Sequence, residues 1–291
     1  MSNKQYKKSE PVTSYGVINI HLSGELSKYN DTLKNVFGTN ANINIEEIEA
    51  DRNDEQYKSI YKIVEQNLMF LLVSRKHSLG YVEFLRGNYD ISDNNESVYH
   101  LFMQMTENEI QMIFSQTFDE LWHDLWKKNA KKSTYTKEYL ASMEKFNFIV
   151  PLFDKNSFKP DYPINEWGFP KGKKRINEPS ISCAIRECCE ETSLVRTELC
   201  MLTGVNALVE NMTGTDNKKY KHVYYLSIIE ELRNLSIQTD NYHFIEIDMA
   251  GWFKKNNANN LIRPYHTEKL RIIDEIIKCI AYVIHCNNEE K

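Results

Sequence analysis

Residues 167–194 read W-G-F-P-K-G-K-K-R-I-N-E-P-S-I-S-C-A-I-R-E-C-C-E-E-T-S-L, and this stretch decides the fold. Pro179 suits the first helical position, where its missing N–H would be unpaired in any case. Ile181, Ala184, Ile185 and Cys188 then recur at i, i+3, i+4, i+7, the buried stripe of an amphipathic helix. Glu187, Glu190 and Glu191 fall at i, i+3, i+4 and converge on a different face. Three carboxylates on one turn repel one another. A hard cation removes that penalty, and Mg²⁺ and Mn²⁺ prefer oxygen ligands. The segment before the helix supplies the opposite charge in Lys171, Lys173, Lys174 and Arg175, with Gly172 between the first two lysines. Those cations suit phosphate oxygens while a metal polarises the same group, the arrangement phosphoryl or pyrophosphoryl chemistry needs. An acidic helix face alone more often is only a solvated surface.

Around this segment the texture alternates. Residues 1–12 are polar and read as a loose arm. The β-branched and aromatic run 13–22 (T-S-Y-G-V-I-N-I-H-L) predicts a strand, and 65–76 (E-Q-N-L-M-F-L-L-V-S-R-K) predicts a second, buried one. Between them 23–60 is rich in Asn and Asp and reads as an insertion or long loop. From Ser97 to about Asn147 the period is helical: Phe118, Leu121, Trp122, Leu125 and Trp126 form one face, and Tyr139, Leu140, Met143 and Phe146 repeat the spacing. Strands return past Phe148. M-T-G-T-D-N at 212–217 reads as a hairpin turn. A long C-terminal helix carries Leu270, Ile273, Ile277, Ile280 and Ile284 on a face that suits a core or a dimer contact equally. The expected organisation is an arm (1–12), a first part of the main domain (13–85), an inserted helical domain (86–147) and the remainder (148–291).

The spacing of the central segment carries more than its charge. Gly172, Glu178, Arg186-Glu187, Glu190-Glu191 and Leu194 resemble the Nudix box, G-x5-E-x7-R-E-U-x-E-E-x-G-U. A chance match in a chain of this length is on the order of one in forty thousand from residue frequencies. Ser193 stands where the box has glycine, so a left-handed helix exit there costs roughly 1 kcal/mol. Cys188 fills the apolar position as a small buried hydrophobe.

By that resemblance the chain is α+β: a mixed sheet between helices, an α/β/α sandwich, with an inserted all-α domain. The resemblance implies Glu187, Glu190 and Glu191 as metal ligands for Mg²⁺ or Mn²⁺, Arg186 as the arginine that orients them, and Glu178 as an outlying glutamate. Glu246, in F-I-E-I-D-M-A-G-W, matches the family's downstream carboxylate and is the candidate general base, with Asp248 nearby. The flanking W-G-F-P-K-G-K, with R-K-H-S-L-G-Y-V-E-F-L-R-G-N-Y-D-I (75–91), F-D-E-L-W-H-D-L-W (118–126) and Y-K-H-V-Y-Y-L (220–226), is similar to the mRNA-decapping Nudix enzymes of large DNA viruses. This implies capped mRNA as substrate, cleaved to 7-methyl-GDP and 5′-monophosphate RNA. Lys171 and Lys173 would neutralise the leaving phosphates. The same box also serves enzymes for diphosphoinositol polyphosphates and nucleotides, and that alternative stays open. For the RNA body the candidates are Lys127, Lys128, Lys131 and Lys132, which could equally be ordinary helix-terminal lysines. Trp122 and Trp126 sit in a core stripe and read as packing. Tyr224, Tyr225 and Phe169 could stack a cap base or belong to the core.

Composition sets outer limits. The 291 residues carry a formal charge of −5, which argues against a protein that coats nucleic acid but permits a local basic path. No apolar run approaches the 18 or so residues of a membrane helix. Six scattered cysteines, none in C-x-x-C, suggest free thiols in a reducing, cytoplasmic setting rather than a disulfide scaffold or a zinc site.

Overall fold

The computed structural model describes residues 10–38, 42–48, 54–93, 95–127, 133–214, 218–235 and 246–289. The chain divides into two compact units: Met1–Val73 with Gly168–Ser236 and Ala250–Lys291, and Ser74–Trp167 with Ile237–Met249.

The first unit is built on strand β1 (Val12–Leu22). Its run of β-branched residues is buried on both faces, with Val17, Ile18, Ile20 and Leu22 fully covered, as a strand between two layers requires. After a 3₁₀ turn (Gly24–Tyr29) come helices α1 (Asn30–Val36) and α2 (Glu55–Asn67), then β2 (Leu68–Arg75). The stretch 23–60 is thus not simply the long loop its composition suggests. Asp54 caps α2 by accepting from the N–H groups of Gln56 and Tyr57, and Tyr57, Ile60 and Val64 are the buried face. The polar majority is the solvent side of an amphipathic helix. Likewise, residues 65–67 close α2 rather than open the strand.

The second unit holds α3 (Leu79–Leu85), α4 (Glu96–Gln104), α5 (Glu107–Ser115), α6 (Phe118–Trp126) and α7 (Ser133–Ile149). Its helices therefore begin ahead of residue 86. Thr106 and Thr117 form capping boxes with Glu109 and Glu120, which fix the starts of α5 and α6. The core is strongly aromatic: Tyr81, Phe84, Phe102, Phe118, Trp122, Phe146 and Phe158 are buried together, with Phe102 and Phe158 stacked at 4.2 Å. Trp122 packs between Phe118 and Tyr139, so the tryptophan stripe is core.

The chain then forms β3 (Trp167–Gly168), β4 (Lys171–Gly172), helix α8 (Ser180–Thr192), β5 (Cys200–Met201), β6 (Leu208–Thr213), β7 (Lys219–Ile228), β8 (Ile247–Lys254), α9 (Lys255–Leu261) and α10 (Thr267–Glu289). The sheet is mixed, in the order β3-β2-β1-β7-β5, with β4 on β1, β6 on β7 and β8 on β2. β1 runs parallel to β7 from Val12↔Tyr220 to Ile20↔Ile228 and antiparallel to β4 at Tyr15↔Gly172 and Gly16↔Lys171. β6 and β7 form the expected hairpin, in register from Leu208↔Tyr224 to Thr213↔Lys219. Helix α8 lays Ala184 and Cys188 against Val17 of β1. Helix α10 is buried over more than one face, including Ile273, Ile277, Ile280 and Ile284, and packs on α2 and β6. The apolar stripe that suited core or dimer is therefore covered within the chain. Among the described residues no helix is long and apolar enough to cross a membrane.

Candidate active site

Helix α8 carries the carboxylates. Pro179 serves as its N-cap rather than its first helical residue (φ −60°, ψ 147°), a conformation its ring favours equally. The buried stripe is Cys183, Ala184, Cys188 and Thr192; of the expected set Ala184 and Cys188 belong to it, while Ile181 and Ile185 are only half-covered. The helix ends at Ser193 in the left-handed conformation (φ 61°, ψ 10°), the exit for which glycine is the usual residue.

Arg186 is the hub of the opposite face. Its Nε and Nη2 donate to the two oxygens of Glu178 at 2.7 and 2.8 Å, a two-pronged pair. Its Nη1 donates to Glu187 at 2.7 Å and to Glu190 at 2.9 Å. Its Nη2 also reaches the carbonyl of Lys173 at 3.1 Å, which ties the loop to the helix. Arg175 adds a second contact to Glu190 at 3.0 Å and donates its backbone N–H to Glu178. Glu191 accepts from the backbone N–H of Lys171 at 2.9 Å. The hydrogen bonds from Arg186 hold the Glu178 carboxyl down at about 2. Burial outweighs Arg186 at Glu187 and raises its pKa above the ordinary carboxylate value, so that carboxylate is under-compensated.

Gly172 is as much part of the site as the charges. A Cβ there would fall inside the Glu187 carboxylate, under 3.0 Å from its atoms. Only glycine lets strand β4 and that side chain lie so close. The donor set is entirely carboxylate oxygen, half-buried and short of positive charge at Glu187, which fits a hard divalent cation. Glu187, Glu190 and Glu191 do not gather their oxygens within 4.8 Å as Asp54, His285 and Glu289 do elsewhere in the unit. Like charges stand apart, with Arg186 between them. The Asp54 group is less promising, since Asp54 is already committed to capping α2.

The remaining candidates are spread. Lys173 and Lys174 are exposed, with the Lys174 ammonium 5.5 Å over the Tyr15 ring. Gly172 and Lys171 are successive strand residues, so their side-chain directions lie on opposite faces of the sheet. Glu246 is exposed at the foot of β8, in the second unit, where its carbonyl accepts from the N–H of Lys76 at 2.8 Å. Asp248 is also exposed. Lys127 is exposed at the C-cap of α6; Lys128, Lys131 and Lys132 lie outside the described residues. Tyr224 and Phe169 are core, packed edge to face at 5.3 Å, while Tyr225 is half-buried.

One group was not visible in the sequence. Glu210 on β6 is buried and accepts from His222 Nδ1 at 2.9 Å, from the Tyr224 hydroxyl at 3.0 Å and from Lys269 Nζ at 2.6 Å. The hairpin register sets Glu210 opposite His222, a pairing that follows once the turn is placed. Lys269 arrives from α10, some sixty residues on, and no local pattern announces it.

The NUDIX domain family matches residues 152–276. An Acanthamoeba polyphaga mimivirus protein named "Putative mRNA-decapping protein" is 32% identical over 95% of this chain and 91% of its own length. An African swine fever virus protein named as an mRNA-decapping protein is 32% identical over 62% of this chain and 76% of its own. Among solved structures, a C. elegans Ap4A hydrolase aligns with a TM-score of 0.33 and 18% identity, over 43% of this chain and 81% of that one.

Proposed function

Because the chain belongs to the Nudix hydrolase family, we propose that it is an mRNA-decapping enzyme that opens the triphosphate bridge of the cap. The products are 7-methyl-GDP and 5′-monophosphate RNA. What carries this reading is the 32% identity to the mimivirus protein over 95% of the chain, well beyond the 152–276 stretch that every Nudix chemistry shares. A likeness confined to the box would favour no substrate.

Glu187, Glu190 and Glu191 would hold the divalent ion, Mg²⁺ or Mn²⁺. When bound, such an ion supplies Lewis acidity to phosphate oxygens and to water. The chain's own residues do the rest. Arg186 holds Glu187 and Glu190 in place through Nη1 and anchors itself on Glu178. Gly172 keeps β4 flat against Glu187. Lys171, Lys173 and Lys174 take up the negative charge that the departing phosphates gather. Glu246 is our candidate to accept the proton from the attacking water. Lys127 with Lys128, Lys131 and Lys132 tracks the RNA backbone. Acting on capped mRNA, the enzyme would work in the cytoplasm, and a second copy of the chain is not needed to cover α10.

The test is release of 7-methyl-GDP from RNA labelled in the cap phosphates, with wild type and Glu190→Gln side by side in Mg²⁺ and Mn²⁺. Metal-dependent release that the variant abolishes supports the reading. Intact turnover in the variant removes the metal assignment. No cap release, with phosphate freed from a diphosphoinositol polyphosphate instead, moves the function to small diphosphates.

A further inference from the structure

On the sheet face away from Gly172 and the box helix, the first unit holds a polar group that the reaction above does not use. Glu210 is 1% exposed, Lys269 4% and His222 7%. Each Glu210 oxygen is taken, one by Lys269 and one by His222 with Tyr224. Lys269 Nζ also donates to His266 Nδ1 at 3.2 Å. With Nδ1 accepting, His266 carries its proton on Nε2, and that N–H has no acceptor among the described residues. Lys171 projects to this same face. The residue is half-buried; its backbone N–H is committed to Glu191, but its ammonium makes no ion pair or hydrogen bond among the described residues.

The charges around His266 are lopsided. Lys269, Lys171 and Arg263 all bear on the ring, against the Glu210 carboxylate. Burial and these cations keep His266 neutral, down at about 3, and burial and Lys171 likewise keep His222 at about 4, although Glu210 pulls it the other way. The positive end of α10, a helix of 23 residues that begins at Thr267, is directed here as well. The ammonium of half-buried Lys171 and the His266 ring N–H, set among cations at a helix start, describe a place suited to an anion.

We propose that Lys171 and His266, backed by Lys269 and the start of α10, form a subsite for one phosphate group of the substrate's phosphate chain. The proposal rests on the decapping reading for the source of the phosphate, but not for the site itself. Lys171 joins the two places: its main chain contacts a box glutamate and its side chain the subsite. Glu210 is a positioning residue, because it touches no ligand and fixes Lys269 and His222 from behind.

The experiment uses the full chain in EDTA and titrates it with inorganic pyrophosphate by calorimetry. Lys171→Gln and His266→Gln are each expected to weaken binding about tenfold, the scale of one charged or charge-assisted contact. Their double variant should lose less than the product of the two. Lys219→Gln, on an exposed strand end, should change binding less than twofold. Thermal melting checks that each variant folds. Unchanged pyrophosphate affinity in folded His266→Gln overturns the subsite, whatever the wild type cleaves. With capped RNA and metal, His266→Gln should raise KM by a similar factor and leave kcat alone. Weakened pyrophosphate binding with an unchanged KM overturns the assignment to the substrate chain and leaves a site for free polyphosphate. If the wild type releases no cap but His266→Gln still loses pyrophosphate, the decapping reading fails and the anion site stands.

Discussion

Gly172→Ala separates the geometry of the carboxylate site from its charge. The substitution adds one methyl and no charge. Position 172 is not in the left-handed region, which among glycines is occupied only at Gly24 and Gly87, so alanine strains no backbone. The methyl would nevertheless fall inside the Glu187 carboxylate, with Cδ, Oε1 and Oε2 all under 3.0 Å where ordinary contact is 3.4–4 Å. Strand β4 is pinned to β1 at Tyr15 and Gly16, and Glu187 is the freer partner. Its carboxylate must therefore retreat on the order of 1 Å, a displacement that costs roughly a hundredfold in rate when it misplaces a reacting group. We expect kcat for metal-dependent cap cleavage to fall about a hundredfold, while the melting temperature stays within a few degrees. The double variant Gly172→Ala/Glu187→Asp should recover part of the loss, because the shorter side chain vacates the space. Turnover within about threefold of wild type in folded Gly172→Ala would refute the reasoning, as would a loss that merely follows unfolding.

Three further outcomes follow from other parts of the molecule. Ser193→Gly relieves the left-handed exit of α8 and should stabilise the chain by about 0.5–1 kcal/mol in urea titrations; a destabilised variant would mean that the serine hydroxyl matters more than the backbone. His222 and His266 are held near 4 and 3 against 6.5 in the unfolded chain, so the unfolded state binds more protons and stability is complete only above pH 6.5. It should fall by about 2 kcal/mol per ring between pH 6.5 and 5, and His266→Gln should lessen the drop; equal urea midpoints at the two pH values would contradict a buried neutral pair. Reversing Lys127, Lys128, Lys131 and Lys132 to Glu should weaken RNA binding and flatten its salt slope by up to about 3, and unchanged affinity would remove the helical unit from the RNA path.

What the sequence disclosed, and what it hid, follows from the range of the interactions. The carboxylate face of α8 was legible because its spacing is local: Glu187, Glu190 and Glu191 share a turn whatever the rest of the chain does. Strand β1 and the β6–β7 hairpin were legible for the same reason. Helix α2 was not, since three apolar residues in a polar stretch read as loop until α10 is placed over them. The direction of Lys171 also escaped. Its type announces a phosphate ligand, but its sheet face depends on β4 pairing with β1 across more than 150 residues. The Glu210 group needed a hairpin register and a distant helix together. Charge compensation assembled by tertiary contacts leaves no periodic trace.

The parallel pairing of β1 with β7 has a consequence for the nascent chain. Val12 meets Tyr220, so the N-terminal strand leaves the ribosome 208 residues before its partner. At about 5–20 residues per second that interval is roughly 10–40 s. Throughout it, Val17 and Ile18, which the finished protein covers completely, have no strand beside them. The antiparallel neighbour β2 arrives much sooner but pairs only Ile20 to Leu22. Strand β1, made long before β7, is thus among the last to be completed. During synthesis this chain depends on early, partial shelter of β1 by β2, or on a chaperone, to keep an adhesive edge from meeting its like on a neighbouring ribosome.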